Sequence, residues 1–482
     1  MTTEEATHKN WTLLAVCLGT FMLIVDITIV VVALPSIRAG LHTSFSQVQW
    51  TVDAYSLTLA SLLLPSGSLG DIFGRRRLFA AGLAIFTLGS LLCALSTSGA
   101  MLVAFRVFQG IGGATIFSTS LALLAQTFQG RERAMAMGLW GTVVGAAGGA
   151  GPLLGGLLTT ELNWHWIFYV NLPIGVVAVL ITLTRVQEGR PPVARRVDLP
   201  GFLVFTAGLF LLVFGLIESS THGWGSSAVL IPLAVAIALL AIFPVVEHLR
   251  EQPMFNITLF RKPAFVGGAV AAFGINGGLY AMFLYLTLYM QNDLHISALG
   301  SGLRLAILTL VSMCVGMPAG RLSHRFPIRW LIGPGLLLIG VGLLLMRGID
   351  PGTSWTHLIP GFLLAGAGSG LVNAPLGATA VGVVQPHDAG MASGINSTFR
   401  QVGLAVMIAA LGTIFAHDLA HTSAATMPVH YASALNDLLL VTGLLALVAG
   451  LIAMPLIRPR DFVAHTPPAP ASSAAVPADT TA

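Results

Sequence analysis

The sequence predicts an all-α integral membrane protein of 14 transmembrane helices, two six-helix halves with two extra central helices between them. Three observations carry this reading. Hydrophobic residues make up 55% and charged residues 9% of the 482 positions; a soluble chain carries about 25% charge, so most of this one belongs in hydrocarbon. Fourteen apolar runs reach the ~18 residues a helix needs to cross a bilayer. One inter-helix stretch also occurs twice, as duplication of a half requires.

The apolar runs fall at 11–35, 47–69, 78–98, 101–126, 136–159, 167–184, 199–217, 228–247, 264–290, 299–320, 330–346, 357–382, 390–416 and 434–457. An even number puts both termini on one side, and the basic residues say which. With the amino terminus in the cytoplasm, 18 of the 23 Lys and Arg lie in inner loops and tails, among them Lys9, Arg75, Arg76, Arg77, Arg195 and Arg196. Only Arg38 and Arg347 lie outside, while Arg106, Arg304 and Arg400 fall within spans. Basic residues concentrate on the cytoplasmic side of membrane proteins, so the split predicts a multi-pass chain with both termini cytoplasmic.

The stretch that recurs is Gly67-Ser68-Leu69-Gly70-Asp71-Ile72-Phe73-Gly74-Arg75-Arg76-Arg77, between the second and third spans. Counted from Pro65, six of fourteen positions are identical to Pro318–Leu331 at a constant offset of 253 residues. The repeat divides the chain into an amino-terminal six-helix half at 1–186, a linker with two additional spans at 187–262, a carboxy-terminal half at 263–457 and a disordered cytoplasmic tail at 458–482. In the hinge itself, glycines permit a sharp turn. Gly67, Gly70, Asp71, Gly74, Arg75 and Arg76 are therefore expected to serve conformational gating, with Asp71 facing the positive end of a neighbouring helix.

Composition also excludes several functions. The net charge of +4 is spread between apolar runs, so no nucleic-acid partner is expected. Cys17, Cys93 and Cys314 lie inside apolar runs without metal or redox spacing, so neither disulfide nor metal nor cofactor is expected. No Gly-Lys pair occurs, which rules out a P-loop, and no metalloprotease or serine-hydrolase pattern appears. The chain is not expected to be an enzyme, and no obligate protein partner is inferred.

Ionisable groups inside spans are costly and mark function. At about 1.5 Å per residue, Asp26 sits ~4–5 Å, Asp53 ~7 Å and Arg106 ~10 Å outward of their spans' midpoints. Three charges at similar depth predict one polar cluster that couples to protons, with Asp26 as the carrier. The fifth span, Gly145-Ala146-Ala147-Gly148-Gly149-Ala150-Gly151-Pro152-Leu153-Leu154-Gly155-Gly156, is dense in small residues that let another helix pack in contact. Gly151, Pro152, Gly155 and Gly156 are its gating candidates. The ninth span has a broken centre at Phe273–Tyr280, and Asn276 and Tyr280, with Asp53, are candidates for substrate binding. Trp164, Trp166 and Tyr169 read as an interfacial belt.

These motifs together resemble the major facilitator superfamily, specifically its 14-helix drug:proton antiporter group. Asp26-Ile27-Thr28 … Ala33-Leu34-Pro35 resembles that group's first-span signature, and the hinge with Asp71 the superfamily's loop motif. Arg106 … Gln109-Gly110 resembles the fourth-span motif tied to proton coupling, and Gly151-Pro152-Leu153-Leu154-Gly155-Gly156 the antiporter motif, with Ala147 standing where that motif usually has glycine. Trp164-His165-Trp166-Ile167-Phe168 and Asn171-Leu172-Pro173-Ile174-Gly175 are also similar to the group. The resemblance implies a major facilitator fold in a bacterial cytoplasmic membrane and proton-driven export of small amphipathic drugs or antibiotics by alternating access. Its partners would be a small-molecule substrate, protons and the lipid bilayer. The alternative is a proton-coupled symporter or uniporter for a small metabolite, since fold alone does not set direction.

Overall fold

A computed structural model describes residues 3–128, 130–188, 198–251, 253, 255–323, 326–384, 389–419 and 427–462. The expected disordered tail lies, from residue 463, outside the described residues, as do Arg190, Arg195 and Arg196 of the linker.

A backbone in hydrocarbon has no water to bond, so each span must close its hydrogen bonds internally. Among the described residues the chain is helical throughout, with no strand. The spans are α1 (Thr3–Leu41), α2 (Phe45–Phe73), α3 (Arg75–Ala94), α4 (Gly99–Thr127), α5 (Gly130–Glu161), α6 (Trp166–Arg185), α7 (Leu199–His222) and α8 (Ser227–His248). They continue as α9 (Pro263–Asp293), α10 (Ala298–Leu322), α11 (Arg329–Leu345), α12 (Ile359–Gly382), α13 (Ala389–Leu419) and α14 (Met427–Leu456). Twelve are long and apolar enough to cross a membrane. The other two are α11, which is short, and α2, which carries Gln47, Gln49 and Asp53. Ser44 caps α2 in a reciprocal box with Gln47, and Ser98, Asp198 and Ser226 cap α4, α7 and α8.

The broken centre expected in the ninth span is instead a widened one. Asn276–Tyr280 forms a π-helical turn between two α-helical segments, and a second closes the span at Tyr289–Asp293. The glycines there serve close packing: a Cβ on Gly277 would lie 2.7 Å from Met407 of α13. Trp164 also departs from expectation. It is 6% exposed and stacks on His165, whereas Trp166 is 44% exposed and packs edge-to-face on the half-buried Tyr169.

Helices α1–α6 pack on one another, and so do α9–α14. The two groups meet mainly along α5 against α10 and α2 against α13, with α1 touching α9. The α7–α8 pair leans on the second of these seams through α7, where Trp50 meets Phe210 and Phe214 and Ser219 donates to Thr413 at 3.1 Å.

The α5–α10 seam is closed at one end only. Away from the termini, a Cβ on Gly156 would lie 2.6 Å from the Leu299 Cα, and the Leu299 amide donates to Thr160 Oγ1 at 3.1 Å. Gln291 there donates to the Val32 carbonyl at 2.8 Å. Towards the termini, Gly138, Gly141, Gly145 and Gly148 have nothing within 4 Å of where a Cβ would stand. The helices therefore diverge from the far end to the terminal end.

Candidate functional site

A buried pair of opposite charges sits where α1, α2, α3, α4 and α6 converge. Asp26 on α1 is 0% and Arg106 on α4 is 1% exposed, and Arg106 Nη1 lies 2.5 Å from Asp26 Oδ2. Gln109, one turn along α4 from Arg106 and hence on the same face, donates to Asp26 Oδ1 at 2.9 Å. Asn171 of α6 donates to the same oxygen at 3.1 Å. Arg106 also donates through Nε to the Thr51 carbonyl at 3.1 Å and through Nη1 to Gln109 Oε1 at 2.7 Å, and its guanidinium stacks 4.0 Å from the Tyr55 ring. Ser90 of α3 accepts from both amides, at 2.7 Å from Gln109 and 3.1 Å from Asn171. Close approach of α3 and α4 makes this possible: a Cβ on Gly89 would lie 2.8 Å from Gln109.

Asp53 is not in this cluster. Two residues beyond Thr51, it is turned by about 200° on the same helix and faces away from Arg106. It is 0% exposed, and neither carboxylate oxygen has a hydrogen-bond partner. One turn before it, Gln49 donates to the Ile408 carbonyl of α13 at 3.1 Å and to Tyr285 of α9 at 3.5 Å. Asp53 thus lies at the seam between the two helix groups. Depth put three charges at one level; azimuth separates them into a pair and a lone carboxylate.

On the other side, Tyr280 of α9 accepts at its hydroxyl from Asn373 Nδ2 of α12 at 3.1 Å and lies 3.3 Å from Ser369 Oγ. Asn276, one turn earlier, has no partner for Oδ1. Asn373 in turn accepts from Arg400 of α13 at 2.8 Å.

At the hinge, Gly74 has φ +99°, which glycine alone adopts readily. Arg75 donates to the Ala122 carbonyl at 3.2 Å and Arg76 to that of Thr182 at 3.2 Å, satisfying carbonyls near the ends of α4 and α6. Gly67 has open space around it and Gly70 ordinary contacts. The side chain of Asp71 lies outside the described residues. In α5, Gly151 and Gly155 lie against Thr28 and Ile29 of α1, while the Pro152 carbonyl and Gly156 lie against Gly302 and Leu299 of α10. Ala147 is fully buried, so the departure from glycine is accommodated. Among the described residues no group of three or more His, Cys, Asp or Glu could hold a metal ion.

The sequence matches the Major Facilitator Superfamily over residues 16–408 and 265–478. The chain belongs to that family. It is 36% identical over 431 residues to the multidrug resistance protein Stp of Mycobacterium tuberculosis (strain CDC 1551 / Oshkosh), covering 88% of this chain and 79% of Stp. It is equally 36% identical over 439 residues to the cephamycin export protein CmcT of Amycolatopsis lactamdurans, covering 90% of each. Among solved structures, a peptide transporter POT in complex with sulfate superposes with TM-score 0.66 at 14% identity, covering 94% of this chain and 95% of that one. The human organic anion transporter MFSD10 superposes with TM-score 0.63 at 17% identity, covering 92% and 99%. These last two establish the fold. As a major facilitator transporter the chain is a multi-pass membrane protein and not an enzyme.

Proposed function

We propose that this transporter exports small amphipathic antibiotics or drugs from the bacterial cytoplasm and is driven by protons entering the cell. The relatives, a multidrug resistance protein and a cephamycin export protein among them, support the direction and the cargo class. The basic residues support a cytoplasmic placement of both termini, so the closed end of the α5–α10 seam faces outward and the open end faces the cytoplasm.

The observation that carries proton coupling is the pair of environments given to two buried carboxylates. Asp26 is matched by the Arg106 guanidinium. Asp53, buried at the seam without a partner, is best accommodated as the neutral acid, because an unpaired buried charge is very costly. A proton on Asp53 therefore favours the outward-closed arrangement, and losing it to the cytoplasm favours reopening to the outside. A proton is worth about 2.3 kcal/mol per 100 mV of membrane potential, which such a cycle transmits to the cargo. The site residues then divide: Asp26, Asp53 and Arg106 handle charge, while Gly74, Arg75, Arg76, Gly151, Pro152, Gly155 and Gly156 set how the helices move.

The test uses inside-out membrane vesicles and a fluorescent amphipathic dye. Acidifying the lumen should drive dye inward, and a protonophore should abolish the accumulation. Accumulation instead in right-side-out vesicles would favour the symport reading.

A further inference from the structure

Three arginines fall within spans, Arg106, Arg304 and Arg400, and among the described residues only Arg106 has an acid; Arg304, near the far end of α10, lies over the Trp355 ring at 4.4 Å. Arg106 is matched by Asp26. Arg400, half-buried on α13, donates Nη1 to Asn373 Oδ1 at 2.8 Å and has no ion pair among the described residues. Within the described parts of α9–α14, the acidic residues are Asp293, Asp418 and Asp437, all within a few turns of helix ends, and Arg400 is far along α13 from Asp418. Guanidinium in a low-dielectric span without a counter-ion is costly, so it is kept where an anion arrives.

The surroundings are built for a ligand. Tyr280, Ser312, Ser369 and Asn373 form one hydrogen-bonded set, with Asn373 to Tyr280 at 3.1 Å and Ser312 to Ser369 at 3.2 Å. Tyr280, Ser312 and Asn373 are each half-buried, and one turn along α12 Gly377 opens onto free space. The set is anchored on the π-helical turn Asn276–Tyr280, a geometry frequent at functional sites. The Asn276 oxygen, unpartnered, can accept a bond from a ligand donor. Tyr280 and Phe283 add an edge-to-face aromatic wall, their centroids 5.6 Å apart.

We propose that Arg400 is the anion anchor of the cargo site, so that the transporter prefers amphipathic compounds bearing a carboxylate, which guanidinium binds in a fork. This rests on the export reading but is tested by binding alone. The purified protein in detergent is titrated with dansyl-phenylalanine and with dansyl-phenylalaninamide, which differ in the carboxylate. Wild type should bind the acid at least about tenfold more tightly, the scale of a charge-assisted hydrogen bond. Arg400→Gln should erase that preference and Arg400→Lys keep part of it. In the absence of ligand Arg400→Gln should melt no lower than wild type, whereas Arg106→Gln, which strands Asp26, should melt lower. The proposal is overturned if wild type shows no preference for the acid, if Arg400→Gln retains it, or if Arg400→Gln melts as low as Arg106→Gln, which would make Arg400 a strut between α12 and α13. Because no proton gradient is involved, failure here leaves the vesicle assay above to decide export separately.

Discussion

Arg106 and Asp26 form a fully buried ion pair, Nη1 to Oδ2 at 2.5 Å, in which each carboxylate oxygen also meets an amide donor or the guanidinium. Such a pair is a poor source of net stability, yet breaking it from one side is expensive, about 3–5 kcal/mol, because a charge is left alone. Arg106→Gln and Asp26→Asn should each lower the melting temperature of the purified protein. The double variant, which leaves no charge, should recover most of the loss. A double variant as unstable as the sum of the singles would mean that the pair's hydrogen bonds, and not its charges, are what matters.

Asp53 should behave in the opposite way. Neither oxygen is hydrogen-bonded, so Asp53→Asn removes no contact and should leave melting essentially unchanged. It should abolish substrate-induced proton release from the detergent-solubilised protein, while energy-independent exchange of dye across vesicles continues. Proton release at the wild-type level in Asp53→Asn, with loss in Asp26→Asn, would return the carrier role to Asp26.

Topology is checked with single cysteines in a background lacking Cys17, Cys93 and Cys314. Cysteines at Ser44, Ser226 and Ser297 lie in loops at the far end and should react with a membrane-impermeant maleimide added to intact cells. One at Ser473, in the tail, should react only after the cells are opened. Labelling of Ser473 from outside would invert the orientation.

Much of this architecture can be read along the chain, because hydrocarbon forces long apolar runs and loop arginines mark one face. Depth is legible too: counting residues from a span's midpoint brings Asp26 and Arg106 to one level, and they meet. What depth cannot supply is azimuth. Asp53 shares their level yet looks across the seam, since two residues along α2 reverse its direction. Gln109 and Asn171 each stand in a recognisable motif, but neutral amides carry no charge signal that assigns them to Asp26. The three-residue spacing from Arg106 to Gln109 was the available clue. Asn373 offered none, because its partnership with Arg400 and Tyr280 depends on which helices become neighbours. The π turn at Asn276–Tyr280 was visible only as a glycine-rich interruption.

The hinge separates glycines that are needed from glycines that are not. Gly74 has φ +99° and ψ 133°, and a Cβ there would lie 2.7 Å from the Glu188 carboxylate. Gly74→Ala should cost about 1–3 kcal/mol of backbone strain and reduce dye transport severalfold. Gly67→Ala meets open space and should transport at nearly the wild-type rate. Equal losses from both would show that helix flexibility, not the turn at Gly74, limits the cycle.

The diverging α5–α10 seam makes the last prediction directional. Gly156, Pro152 and Gly149 successively face Leu299, Gly302 and Thr309, so Gly145, one turn on, continues the same face of α5 but meets nothing. If the seam rocks, the far end must open when the terminal end closes, and Gly145 then takes the tight contact that Gly156 has now. A large side chain at Gly156 disfavours the arrangement described here, while one at Gly145 disfavours its opposite. A ligand or mutation shifts such an equilibrium only through its differential effect on the two states. The readout is a cysteine at Met317, 57% exposed near the terminal end of α10, reacting with a water-soluble maleimide in a background free of other cysteines. Gly156→Leu should slow that reaction several-fold, and Gly145→Leu should hold it at or above the parent rate. Slowing by both, or by neither, would mean that α5 and α10 do not exchange one closed end for the other.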